Sequence, residues 1–292
     1  MRQLAAVAAL FAMLCSGAQA AVDDRGAAIA VQAPQRVVAL YGSFAEAWLL
    51  AGGTLVGASE DAVEERALDL NEDVAIVGTT KHPNLEIILQ LEPDLVLLSM
   101  DIAGQAQAAE VLEAAGVACA AFRVDSYVDY ARMMEVFAEL TGRSDLYRAQ
   151  IPPLVAQIES IIEAARAEEA PTVLLLRAYS SGVKAKAADN LAGAILEDLG
   201  CVNIAGEAML EEVTLEAIVA ADPQYIFVTT MGADEDAALA TLEATLGANP
   251  AWQALTAVRE GRVYLLPKDL FHYKPNQRWG ESYAYLYDIL YP

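Results

Sequence analysis

The stretch FHYKPNQRW, Phe271 to Trp279, gathers three aromatic rings, a histidine, a lysine and an arginine. Phe271, Tyr273 and Trp279 offer faces on which a flat or aromatic ligand stacks. Arg278 offers a planar fork that matches a carboxylate bidentately. His272 and Tyr273 offer an imidazole and a phenolate, both of which ligate haem or ferric iron. A lone histidine or tyrosine is more often structural. It is the clustering in one short segment that singles these out.

The other cationic side chains are confined in a similar way. The only lysines are Lys81, Lys184, Lys186, Lys268 and Lys274, and the only histidines are His82 and His272. All lie in segments that read as loops, GTTKHPN, RAYSSGVKAK and PKDLFHYKPNQRW. In a chain of net charge −23, that confinement concentrates positive potential and points to an anionic ligand. The plainer reading is that glutamate and alanine simply displace lysine from the helices. Such acidity argues against nucleic acid, whose phosphates are met by Lys and Arg.

The elements that carry these loops alternate. QRVVAL reads as a buried strand, and YGSFAEAWLLAGG as a loop and helix with Ser43 at the N-cap. LVGAS is a strand, NLEIILQLEP a helix broken by Pro93, and DLVLLS a strand without polar alternation, as in a parallel sheet. GQAQAAEVLEAAG is a helix stopped by Gly116, and VACAAFRV a strand. From Thr172 the pattern restarts with TVLLLRAYS, DNLAGAILEDLG (Asp189 near its cap), TLEAIVAADP, QYIFVTT and GRVYLLP, closing on the amphipathic RWGESYAYLYDILYP. This predicts an α/β fold of two Rossmann-like lobes with parallel sheets.

Between the lobes, Leu154, Ile158, Ile161 and Ile162 recur at helical spacing. The segment is not Gly/Ser-rich, so one long rigid helix joins the lobes rather than a flexible linker. Pro152-Pro153 is expected to kink that helix or mark its start. The lobes span 21–142 and 170–292, with the connecting helix at 143–169. Residues 1–20, MRQLAAVAALFAMLCSGAQA, read as a signal peptide with an Ala18-Gln19-Ala20 cleavage site. The apolar run falls short of the ~20 residues a membrane span needs. The remaining cysteines, Cys119 and Cys201, sit beside apolar residues and read as buried small hydrophobes, with a disulfide possible after export.

In open α/β sheets ligands bind beyond the carboxyl ends of the strands, so the cleft between facing lobes is the expected site. Its loops contribute Tyr41, Lys81, His82, Met100, Arg177, Tyr179 and Met231, besides Phe271, His272, Tyr273, Arg278 and Trp279. Met100 and Met231 end equivalent strands; a thioether ligates haem iron, and either residue also suits a core. One sentence of sequence occurs twice: NLEIILQLEPDLVLLS (84–99) and TLEAIVAADPQYIFVT (214–229) are offset by 130 residues.

With PQRVVAL…SFAEAWLLAGG…LVGAS, LGCVNIAG and ANPAWQALTAVREGRVYLLP in this order, the chain resembles the extracytoplasmic substrate-binding proteins of ABC importers. More narrowly, it is similar to the class III, helical-backbone group that captures ferric siderophores, haem and cobalamin. The resemblance implies a monomeric, non-enzymatic protein, periplasmic or cell-surface associated. Its transported ligand would be an iron chelate, haem or corrinoid, with no prosthetic group, and its partner a membrane permease dimer. It also implies that Glu86 and Glu216 meet arginines of that permease. Such charges steer docking and fix register; a first-turn glutamate also favours the helix dipole by ~0.3–1 kcal/mol. In the lipobox of bacterial lipoproteins a small residue precedes the cysteine, whereas Leu14 precedes Cys15, which counts against lipidation.

Two rivals remain. A zinc or manganese binder would need His82, His272 and Asp101 to meet. An exported enzyme would need a catalytic signature, and the chain has no G-x-G-x-x-G, P-loop, G-x-S-x-G or H-E-x-x-H. A rigid connecting helix predicts a largely preformed cleft.

Overall fold

The computed structural model describes residues 21–205, 213–232 and 234–292; the segment read as a signal peptide, with Cys15, lies outside them. In the N-terminal lobe β1 (Val37–Ala39), β2 (Leu55–Ala58), β3 (Ala75–Ile76), β4 (Leu95–Ser99) and β5 (Cys119–Phe122) form one parallel sheet in the order β3-β2-β1-β4-β5. β1, β4 and β5 are buried throughout, as their unbroken apolar runs require when helices cover both faces. Those helices are α1 (Gly42–Leu50), α2 (Asp61–Glu64), α3 (Leu85–Gln90), α4 (Ala103–Ala114) and α5 (Tyr127–Thr141). A capping box of Ser126 and Asp129 starts α5, and Gly142 at φ 70° ends it.

Helix α6 (Ser144–Ala165) continues through Pro152-Pro153, neither starting nor ending there. Both prolines are exposed, so carbonyls freed by the missing N–H groups can turn to water. Ile151, Leu154, Ile158 and Ile162 meanwhile bury the opposite face.

The C-terminal lobe contains β6 (Thr172–Tyr179), β7 (Gly182–Lys186), α7 (Leu191–Asp198), β8 (Val202–Asn203), α8 (Leu215–Ala221), β9 (Tyr225–Thr230) and α9 (Glu235–Leu242). It continues with α10 (Pro250–Gln253), α11 (Thr256–Arg259), β10 (Val263–Leu265), α12 (Lys268–Phe271) and α13 (Trp279–Leu290). Its sheet runs β10-β9-β6-β7, with β8 also pairing with β6. This sheet is mixed rather than parallel, because the segment read as the loop RAYSSGVKAK folds back as the antiparallel hairpin β6–β7. The short Ser180–Ser181 connection leaves no room for the crossover that parallel pairing needs. Asn190, next to Asp189, caps α7, accepting from the Gly193 N–H at 3.3 Å.

The repeated sentence is a repeated structure. Ile88 and Ile218 are both fully buried. Glu92 and Asp222 end their helices in left-handed backbone, at φ 45° and 42°, and Pro93 and Pro223 follow. The Asp94 carboxylate accepts the N–H groups of Gln35 and Arg36 just before β1, at 2.7 and 3.0 Å. Gln224 accepts that of Thr172 at the start of β6, at 2.8 Å. Each unit thus ties its own strand to the central strand of its sheet.

One apolar core runs without a break from Phe44, Trp48, Phe122 and Phe137 in the first lobe, through Ile158 on α6, to Phe227, Trp279 and Tyr283 in the second. Trp48, Phe122 and Phe137 meet edge to face, 5.2–5.3 Å between centroids, the arrangement ring quadrupoles favour. No helix among the described residues is long and apolar enough to cross a membrane.

Candidate functional site

The first sheet changes winding direction between β1 and β4, which opens a crevice at their carboxyl ends. Gln105, fully buried at the start of α4, fills its floor. Its amide donates to the Leu40 carbonyl after β1 at 2.6 Å and to the Thr80 carbonyl at 3.0 Å. Its oxygen accepts the N–H of Ser99 at the end of β4, at 2.7 Å. The loops bearing Tyr41, Lys81 and Met100 are therefore stapled together by one side chain that sequence reasoning missed; nothing in the pattern distinguishes it from any helix-surface glutamine. Gly104 beside it permits the close approach, since a Cβ there would lie 1.9 Å from the Lys81 carbonyl oxygen.

An acidic group that the sequence did not single out borders Tyr41. Buried Asp61 accepts the Gly42 N–H at 2.8 Å and the Ser59 hydroxyl, and burial raises its pKa. The phenol of Tyr41 is pushed up to about 12, first by burial and then by the Asp61 charge. The Asp61 bond replaces the expected Ser43 cap: α1 begins at Gly42 and Ser43 is buried. Glu65 is raised by burial and by Asp61. Arg66, lowered by burial, pairs with Glu46 and donates to the Lys274 carbonyl of the other lobe at 2.8 Å.

From the C-terminal lobe, Arg177 and Tyr179 end β6. Val173 and Leu175 point into the core shared by the lobes and Leu174, Leu176 and Ala178 into a separate one. By the alternation of a strand, Arg177 and Tyr179 face the shared core's side. Lys184 lies directly opposite Arg177 on β7, and Thr229 beside it on β9. The buried Arg177 Nε has no hydrogen-bond partner among the described residues. His272 is pushed down to about 4 by burial and then by the charges of Arg177 and Lys268, so it is neutral at pH 7. Its ring meets that of Tyr273 at 4.9 Å. The Tyr273 phenol is raised by burial, then by Glu65 of one lobe and Glu235 of the other. Tyr273 thus sits where the two lobes meet.

Several expected residues are placed elsewhere. Phe271 and Trp279 are 1% and 0% exposed; α12 and α13 turn both rings into the core, so neither presents a stacking face. Arg278 is engaged by Asp269 at 2.5 Å and Glu281 at 2.8 Å. The expected positive field is largely neutralised as well. Lys268 pairs with Glu235 and Lys274 with Asp125, each at 3.1 Å, and Lys186 pairs with Asp189. Lys81, Lys184 and Arg177 remain without an ion-pair partner among the described residues. Met231 is half-buried after β9. Met100 lines a cavity of about 470 Å³ with Asp23, Asp24, Gly26, Arg123, Asp129 and Arg132. Its arginines already pair with Asp101, Asp24 and Asp129 at 2.7–3.1 Å.

Asp101 is thereby held by Arg123, and His82 is exposed. No group of three His, Cys, Asp or Glu side chains converges among the described residues in a way that could hold a metal ion, which removes the zinc arrangement of His82, His272 and Asp101. Cys119 and Cys201 are free thiols. Glu86 and Glu216 are exposed in the first turns of α3 and α8. Asn84 caps α3, accepting from the Ile87 N–H at 3.2 Å, and Glu86 lies in the first turn as expected.

Residues 37–270 match the family model of periplasmic binding proteins. A curated relative, the Fe(3+)-citrate-binding protein YfmC of Bacillus subtilis, is 26% identical over 85% of this chain and 78% of its own. An ABC transporter substrate-binding protein from Listeria monocytogenes superposes with a TM-score of 0.72 at 20% identity, over 88% of this chain and 98% of that one. A periplasmic heme binding protein from Pseudomonas aeruginosa gives 0.70 at 24% identity, over 89% and 93%. The chain belongs to the periplasmic binding protein family.

Proposed function

We propose that this protein is the capturing component of an ABC importer and that its cargo is an iron chelate, either a ferric complex of an anionic organic chelator or haem. The observation that carries the reading is the position of His272 and Tyr273, adjacent rings at the junction of the lobes. A neutral imidazole and a phenol are donors that suit ferric iron or haem. Arg177, Lys184 and Lys81 have charge left to meet the anionic rim of such a ligand. Tyr41, His82, Met100, Tyr179 and Met231 complete the walls. Family membership supports the reading, as does the iron-citrate protein among the relatives. Glu86 and Glu216 dock the loaded protein on a membrane permease.

The test is thermal unfolding of the chain from Ala21 onward with ferric citrate, a ferric catecholate, a ferric hydroxamate, haem, cobalamin and zinc. A ligand confined to the folded state stabilises it by roughly 2.7 kcal/mol at a hundredfold excess over Kd. A shift with one iron chelate or haem, reduced in Tyr273→Phe or His272→Ala, is the expected result. A shift with cobalamin or zinc alone overturns the iron assignment.

A further inference from the structure

Each repeated unit carries an aliphatic side chain in the open beside its glutamate. Leu89 is 39% exposed and Val219 41%, and they stand 130 residues apart, as Glu86 and Glu216 do. Each follows its glutamate by three residues. At about 100° per residue, that sets carboxylate and aliphatic group some 60° apart on one helix face. Ile88 and Ile218, fully buried, anchor the opposite face, so this placement is fixed by packing.

We propose that Leu89 and Val219 are the apolar anchors of the permease-docking surface, one on each lobe, and that they set how long the complex lasts. This rests on the docking role given to Glu86 and Glu216. Two like patches, duplicated in sequence and in structure, fit a partner that offers two like surfaces. Its chemistry follows from the patch: a cationic group with an apolar depression about one helical turn away, on each of two equivalent subunits. Exposed charges mainly govern the rate of encounter, whereas buried apolar contacts govern dissociation. The carboxylates bring the protein in and the aliphatic groups hold it.

The experiment follows fluorescently labelled, iron-chelate-free protein as it binds to spheroplasts of the source organism, at several salt concentrations. Leu89→Ser with Val219→Ser should dissociate about tenfold faster, with association rate and salt dependence unchanged. Each single change should produce a similar part of that loss. Glu86→Gln with Glu216→Gln should instead slow association and flatten its salt dependence. Both pairs lie at the surface, so each variant should still unfold cooperatively within about 5 °C of the parent, which excludes misfolding as the cause. Wild-type dissociation of the Leu89/Val219 variant, with impaired association of the glutamate variant, overturns the anchor role and leaves docking intact. A loss confined to one lobe overturns the two-fold arrangement. Unchanged binding of both variants overturns the docking reading, and the anchors with it.

Discussion

The side-chain amide of Asn276 donates to the Ser43 carbonyl at 2.8 Å and to the Glu46 carboxylate at 2.7 Å. The donor belongs to the C-terminal lobe and both acceptors to α1 of the N-terminal lobe. Asn276 is fully buried and holds left-handed backbone at φ 50°. Asparagine tolerates that conformation better than most residues. Asn276→Ala should therefore cost about 3 kcal/mol, from two buried hydrogen bonds and the backbone strain. Asn276→Asp keeps the shape but faces Glu46 with a second carboxylate, and should cost more. Urea unfolding of the ligand-free protein measures both; an aspartate variant as stable as the parent contradicts the inter-lobe role.

The left-handed residues of the repeat give opposite expectations. Glu92→Gly removes strain and should raise stability by about 0.5–1 kcal/mol. Asp222→Gly removes the same strain, but its carboxylate accepts the Thr256 N–H and hydroxyl at 2.8 and 2.7 Å, starting α11. That change should be neutral or destabilising. Equal gains at both sites would show that these bonds contribute nothing.

His272 makes the ligand-free protein sensitive to acid. Its folded pKa, about 4, lies below the usual ~6.5 of the unfolded chain. As pH falls through that window the unfolded state takes up the proton first, so stability is lost between about 6.5 and 4 and no further below. The loss is on the order of 2–3 kcal/mol for a group this buried. Asp61 and Glu65, raised by burial, act in the opposite sense. The difference between the parent and His272→Gln isolates the histidine. A difference that stays constant from pH 7 to 4 refutes the assignment.

Burial pushes the thiols of Cys119 and Cys201 up to about 12. At pH 8 the thiolate fraction falls by roughly a thousandfold relative to an ordinary cysteine. A chain beginning at Ala21 should therefore resist iodoacetamide when folded and take up two labels in denaturant. Rapid labelling of the native protein would show that the thiols open to solvent.

Much of the architecture was legible because unbroken apolar runs leave a strand few alternatives. The duplicated sentence was legible down to its helix, turn and strand. The hairpin β6–β7 was not: VKAK does alternate as a strand does, but so short a run beside Ser180-Ser181-Gly182 carries less weight than the turn-forming residues, and only pairing with Leu175–Tyr179 fixes it. The site was legible as a segment and less so as residues. His272 and Tyr273 lie at the lobe junction, while Phe271 and Trp279, from the same nine residues, are core. Sequence shows that a ring is present and not which way a short helix turns it. Gln105, Asp61 and Arg66 act through polar contacts to segments distant in sequence, which no local pattern announces.

Helix α6 lies against α5 of one lobe and α13 of the other, inside a core that both lobes share. In the docking proposed for Glu86 and Glu216, it would serve as a ruler for the distance between them. With the largely preformed cleft that such a helix predicts, the gauge would read the same whether its jaws are full or empty. Information about cargo has to reach the membrane in another form: in what protrudes at the mouth of the cleft, or in how fast the cargo leaves once the gauge is seated.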